Sequence, residues 1–208
     1  MALRDILILV LLSLAIYLPG ISAVPPMDRD EARFAQASKQ MLETGDWIDI
    51  RFQDQARHKK PAGSYWLQAS STAVFGKGQT DEIWTYRLPS TLGALIAVLA
   101  TYALGTLLFG RQAGLIAGAL LAASLSLTVE AHLAKTDALL LASVASAQLF
   151  LARVYQCRND PTARPRFSPW LFWAALGVGI LLKGPIAPMI VALTIIVLVV
   201  LGREWRWL

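Results

Sequence analysis

LPSTLGALIAVLATYALGTLLF, residues Leu88 to Phe109, decides the fold. This run of roughly 22 residues has no charged side chain, and a helix of that length, at 1.5 Å per residue, crosses a bilayer core of about 30 Å. Upstream, Ile6 to Val24 is a second uncharged apolar run of roughly 19 residues. Downstream come Ala113 to Val129 and Ala138 to Val154. Trp170 to Gly202, at roughly 33 residues, is too long for one untilted span and is interrupted by Lys183-Gly184-Pro185, so it reads as two spans joined by a tight turn. The expectation is an all-α, multi-pass bundle of about six transmembrane helices.

Composition agrees. Of 208 residues 56% are hydrophobic and 16% charged, against about 45–50% and about 25% in a usual globular chain, which excludes a disordered chain and argues against an ordinary soluble domain. One cysteine, Cys157, excludes an internal disulfide and reads as an incidental thiol. Ile21-Ser22-Ala23 resembles a signal-peptide cleavage site, but the only leading base, Arg4, is offset by Asp5 and the apolar run exceeds a usual signal core, so an uncleaved first helix is expected.

The formal charge of +5 and the basic pI of about 9.6 report orientation. With six spans, Arg4, Asp5, Arg111, Arg153, Arg158, Asp160, Arg164, Arg166, Arg203, Glu204 and Arg206 share one side and carry the whole net charge. On the other side, residues 25–87 hold nine basic and nine acidic residues, and Glu130, Lys135, Asp137 and Lys183 also cancel. The positive-inside rule then places both termini in the cytoplasm and the 25–87 loop outside. No nucleic-acid partner is expected.

A loop of about 63 residues is too long for a connector. After Pro25-Pro26-Met27 it reads as a helix to about Glu43, with Asp28 or Asp30 as cap and Gly45 as stop. A second helix, Gly63 to Phe75, has the composition of an interfacial helix along the headgroups, with Trp47, Trp84 and Tyr86 as an aromatic belt. Ionisable residues gather on this side: Asp28, Asp30, Glu31 and Arg33; His58, Lys59 and Lys60; His132, Lys135 and Asp137; and Lys183 inside the apolar hairpin. A charge at membrane depth costs ~2.5–3.5 kcal/mol on insertion scales, so it needs a partner or a task. Carboxylates beside lysines suggest a base next to a phosphate-binding cluster.

The order of motifs resembles the polyprenyl-phosphate-sugar-dependent glycosyltransferases, the group of the lipid A 4-amino-4-deoxy-L-arabinose transferase and the protein O-mannosyltransferases. It is carried by Asp30-Glu31-Ala32-Arg33 after the first span, Met41-Leu42-Glu43-Thr44-Gly45-Asp46-Trp47, Lys60-Pro61, Tyr65-Trp66-Leu67, Arg87-Leu88-Pro89-Ser90, Lys135-Thr136-Asp137 and Leu182-Lys183-Gly184-Pro185. The resemblance implies a C-type glycosyltransferase fold with its site at the outer face, a polyprenyl-phosphate sugar as donor, and a lipid or protein as acceptor. By the same carry-over Asp30 is the general base and Asp137 a second active-site carboxylate, while Arg33, Lys60 and Lys183 hold the donor phosphate. It also implies a longer enzyme, of which residues 1–208 correspond to the N-terminal half.

Chemistry supports such a site. The leaving group is a phosphate ester, whose developing charge is stabilised by fixed cations where dielectric is low. Arginine grips two oxygens in a fork and lysines act as point charges. A carboxylate is then needed only to deprotonate the acceptor, and attack opposite the leaving group predicts inversion. No cofactor follows from the spacing. His58 and His132 lack a zinc pattern and read as surface or junction residues. Lys59 stands where relatives of the arabinose transferase commonly carry glutamate, so a divalent metal is unsupported there.

Each residue also has a plain structural reading. Asp30 and Asp137 serve as helix caps, Lys60 as an interfacial lysine, Lys183 as a turn residue, and Gly93, Gly105, Gly114 and Gly118 as helix-packing contacts. The rival functional class is a non-catalytic membrane protein, a transporter fragment or an assembly subunit. A transporter predicts paired charges in broken helices near the midplane, in repeats. The sequence shows only the Lys183 turn.

Overall fold

Apolar runs become helices because the backbone must satisfy its own hydrogen bonds wherever water is excluded. The computed structural model describes residues 2–26, 28–158 and 168–203, and among them are nine helices and one small hairpin. Helix α1 (Leu3–Tyr17) stops where Pro19-Gly20 interrupts the run. Helix α2 (Arg29–Thr44) begins at Asp28, whose carboxylate accepts from the backbone N–H groups of Asp30 and Glu31 at 2.6 and 3.3 Å. It ends at Gly45, which takes a φ of 71° that a side chain would resist. Strands β1 (Arg51–Phe52) and β2 (Gln55–Ala56) pair antiparallel, with Arg51 opposite Ala56 and Phe52 opposite Gln55.

Helices α3 (Gly63–Phe75), α4 (Ile83–Phe109), α5 (Arg111–Ala122), α6 (Leu125–Ala131), α7 (Asp137–Gln156), α8 (Ser168–Lys183) and α9 (Ile186–Gly202) follow. Helix α4 is the central post: α1, α3, α5, α6 and α7 all pack on it. Close approach replaces bulk. A Cβ on Gly93 would lie 2.9 Å from the Leu139 Cα, and one on Gly105 would lie 2.9 Å from the Gly114 Cα, the small-residue packing by which helices associate in lipid. Leu9, Tyr17, Ala94, Val98, Tyr102, Ala122 and Leu127 fill the main core. A second cluster, Phe34, Ala37, Met41, Ile50, Tyr65 and Ala69, joins α2 to α3, with the Phe34 and Tyr65 rings stacked at 5.1 Å. A third binds α7 to α8 and α9 through Ala147, Leu151, Phe172, Leu176 and Val191.

The six expected spans correspond to α1, α4, α5 with α6, α7, α8 and α9, with corrections. By length and composition, α4 and α7 can each cross a membrane among the described residues, and α5 with α6 makes a third candidate bent by 59°. The run from Ala113 to Val129 is therefore not one straight helix. Its break falls at Ala123-Ser124, where the Ser124 hydroxyl caps a new helix by accepting from the Leu127 N–H. Helices α8 and α9 are shorter, at 16 and 17 residues. The first helix is Leu3–Tyr17, not Ile6 to Val24.

The expected loop of residues 25–87 ends earlier, at Glu82, because α4 begins at Ile83 and Arg87 lies within it. Helix α3 packs into the bundle: Tyr65 and Ala69 are fully buried against α2, while Trp66, Leu67, Val74 and Phe75 remain exposed. Tyr86 leaves the aromatic belt for the interior, its hydroxyl donating to the Thr80 carbonyl at 2.8 Å. Met27 of the loop's opening motif, and Asp160, Arg164, Arg166, Glu204 and Arg206 of the charge pattern, lie outside the described residues.

Candidate active site at one end of the bundle

Arg87 and Glu31, both with fully buried side chains, organise the region. The Arg87 guanidinium donates to the two Glu31 oxygens at 2.7 and 3.1 Å, and its remaining nitrogen donates to the carbonyls of Ile21 and Val24, each at 2.7 Å. Glu31 also accepts from the Ala134 N–H at 3.0 Å. One fork thus ties four segments together: the α1–α2 connection, the first turn of α2, α4, and the connection into α7. A buried pair of this kind is costly to desolvate and persists here because its hydrogen-bonding groups are satisfied.

The lock brings the first turn of α2 against residues 131–136. Lys135 donates to Asp28 at 2.6 Å, and the Lys135 ammonium, aided by the two backbone N–H groups, holds the Asp28 carboxyl below the usual carboxylate range. Two residues beyond Asp28, Asp30 faces outward with its side chain 58% exposed and Arg33 at 3.6 Å, one turn along the helix. Two residues beyond Lys135, Asp137 opens α7 and pairs with Lys183 from the α8–α9 turn. Gly184 makes that turn with a φ of 69°.

Lys60 approaches from a third direction. Helix α3 starts so tightly against α8 that a Cβ on Gly63 would lie 2.6 Å from the Leu181 carbonyl oxygen. The segment carrying Lys60 therefore borders the end of α8 that carries Lys183. Lys60 is half-buried and has no ion-pair partner among the described residues. The five expected residues fall into two pairs, Asp30 with Arg33 and Asp137 with Lys183, and Lys60, three residues before the point where α3 meets α8. Asp28 and Lys135 link the pairs through the connection into α7. No hydrogen bond or ion pair joins Asp30 to Asp137 among the described residues.

Asp28, not Asp30, is the α2 cap, which leaves the Asp30 carboxylate free of that task. Asp137 occupies the first turn of α7 after Thr136 and is not the cap there. His132 is a staple, its two ring nitrogens lying 2.8 Å from the Thr128 carbonyl and 2.9 Å from that of Pro19. His58 is exposed. Among the described residues no three His, Cys, Asp or Glu side chains gather as metal ligands.

Sequence reasoning missed the work of Glu31 and Arg87. The signal was there: Glu31, Phe34, Ala35, Ser38 and Met41 follow a helical repeat, so Glu31 sits on the buried face of α2. It also missed Glu130, which lines a recess of about 230 Å³ together with Asp137.

The fold and the charged cluster together define a helical membrane protein with a charged face at one end of its bundle. Residues 59–208 match the dolichyl-phosphate-mannose-protein mannosyltransferase family, and the chain belongs to that family. It is 31% identical over 179 residues to the undecaprenyl phosphate-alpha-4-amino-4-deoxy-L-arabinose arabinosyl transferase of Pseudomonas aeruginosa strain LESB58, covering 85% of this chain and 31% of that protein. The likeness to arabinosyl transferase 1 of Pseudomonas fluorescens strain Pf0-1 is also 31%, over 79% of this chain and 28% of that one. Among solved structures, ArnT from Cupriavidus metallidurans bound to undecaprenyl phosphate superposes with a TM-score of 0.85 at 26% identity, over 99% of this chain and 37% of that one. The apo form gives 0.84. The chain spans about a third of the length of these relatives.

Proposed function

We propose that the chain handles the donor in transferring a sugar from a polyprenyl phosphate to a lipid A-like or protein acceptor at the periplasmic face of the inner membrane, with both termini cytoplasmic. The observation that carries this reading is that the pairs Asp30–Arg33 and Asp137–Lys183 are borne by helix ends tied together through the buried Glu31–Arg87 and the Asp28–Lys135 pairs, with Lys60 on the segment that leads into α3 against α8. Family membership and the likeness to a protein solved with undecaprenyl phosphate support it.

In the reaction, an acceptor oxygen attacks the anomeric carbon as the bond to the phosphate oxygen breaks. Asp30, exposed and not engaged as the cap, takes the acceptor proton, and polyprenyl phosphate leaves with the electron pair. Arg33, Lys60 and Lys183 stabilise the departing phosphate. Asp137, the second carboxylate of the proposed site, sets the position of Lys183. Titration of the protein in lipid nanodiscs with undecaprenyl phosphate tests this. Lys60→Ala and Lys183→Ala should each weaken binding by about tenfold, the scale of one charge-assisted hydrogen bond. Unchanged affinity in both variants contradicts the assignment.

A further inference from the structure

Arg57, in the segment between β2 and α3, has a guanidinium that is held in place yet left without a counter-charge. Its Nε donates to the Tyr65 hydroxyl at 2.8 Å, and its central carbon lies 5.4 Å from the Phe34 ring centre and 6.0 Å from that of Phe52. The backbone is fixed as well, the Arg57 N–H donating to the Ile50 carbonyl at 2.7 Å. Arg57 is half-buried and forms no ion pair among the described residues, so both terminal nitrogens keep their donors unmatched. Tyr65 completes the arrangement. It is fully buried and stacked on Phe34; its oxygen accepts from Arg57, and its own hydroxyl hydrogen finds no acceptor among the described residues.

A fixed guanidinium edge beside a spare hydroxyl hydrogen calls for an acceptor that carries negative charge, because donors shut away from water are costly to leave unmatched. A planar carboxylate meets such an edge with two parallel hydrogen bonds. The surroundings indicate what bears it. Phe34, against which the guanidinium rests, lies one turn along α2 from Asp30, and Lys60 follows Arg57 by three residues. Burial pushes the Tyr65 hydroxyl pKa up, Arg57 draws it back, and the Asp30 carboxylate adds to the rise, so Asp30 is within electrostatic reach of the same pair. In a displacement at the anomeric carbon, the sugar occupies the space between the base and the leaving phosphate. We infer that Arg57 and Tyr65 seat a carboxylate borne by the transferred sugar, with Arg57 as the residue that distinguishes an acidic sugar from a neutral one. The inference rests on the reading of Asp30 as base and Lys60 as phosphate ligand, and adds to it the chemical class of the sugar.

The test titrates the protein, in nanodiscs of phosphatidylcholine, with three probes: undecaprenyl phosphate, and the same lipid phosphate bearing glucose or glucuronic acid, which differ only in a hydroxymethyl against a carboxylate. The acidic donor should bind about 10–100-fold more tightly than the neutral one, and in Arg57→Gln that ratio should fall to about one while undecaprenyl phosphate binds as before. Equal affinities for the two sugars in the unsubstituted protein, or a ratio that survives Arg57→Gln, overturn the inference, and binding of undecaprenyl phosphate then leaves the proposed function standing. Weakening of undecaprenyl phosphate itself by about tenfold in Arg57→Gln would make Arg57 a ligand of the donor phosphate and also overturn the inference. Failure to bind any of the three overturns both readings. A parallel arm adds phosphatidic acid. If that lipid abolishes the preference in the unsubstituted protein, the seat takes a phosphate from another lipid and the sugar assignment is wrong. Should Arg57→Gln fail to insert, Arg57→Lys, which keeps the charge and loses the fork, decides: the ratio should fall at least about threefold, and an unchanged ratio overturns the inference.

Discussion

Arg87 anchors this end of the bundle because its buried guanidinium meets a carboxylate and two backbone carbonyls. Removing one partner strands the other. Arg87→Met should destabilise the protein by about 3–5 kcal/mol, read as a lowered midpoint of thermal unfolding in detergent, and Arg87→Met with Glu31→Gln should recover part of the loss. At Asp28 the effect is electrostatic. Its pairing with Lys135 lowers the folded-state pKa, so the stability it contributes is present above the ordinary value of about 3.9 and is lost as pH falls through the lowered one. Lys135→Met should move the Asp28 titration upward, measured by carboxyl carbon NMR. Asp30, Arg33, Lys60, Asp137 and Lys183 were legible one by one in the sequence, as charges at apolar boundaries that match a family's motifs. Their linkage was not, because it passes through Glu31, Arg87 and the tight Gly63–Leu181 approach, contacts between residues far apart in the chain.

Helices whose ends carry chemical signals were read well. Asp28 and Gly45 bracket α2, the Gly63 to Phe75 stretch is α3, and Lys183-Gly184-Pro185 divides α8 from α9. The bend between α5 and α6 was missed because Ala123-Ser124 carries neither glycine nor proline, and a serine cap within an apolar run is a weak signal. Packing of α5 on α4 depends on the absence of side chains where Gly105 meets Gly114. Gly105→Val forces atoms into that contact and should cost about 1–3 kcal/mol, seen as earlier unfolding by circular dichroism. Unaltered stability would show that the two helices are free to separate.

For the whole molecule, charge asymmetry predicts orientation, and the native cysteine provides a probe. Cys157 is partly accessible at the end of α7. An impermeant maleimide should label it only after the inner membrane is opened, whereas Asp54→Cys in a Cys157→Ser background, at the tip of the hairpin between β1 and β2, should be labelled from the periplasmic side. The reverse pattern would place the ionisable cluster in the cytoplasm. The central claim is that this cluster transfers a sugar from polyprenyl phosphate with Asp30 as base. It is tested most directly by following radiolabelled sugar from undecaprenyl phosphate to acceptor in membranes containing the protein or its Asp30→Asn variant at equal amounts. The account predicts transfer by the protein and a loss of at least about a hundredfold in the variant, with insertion unchanged; equal transfer by the two would contradict it.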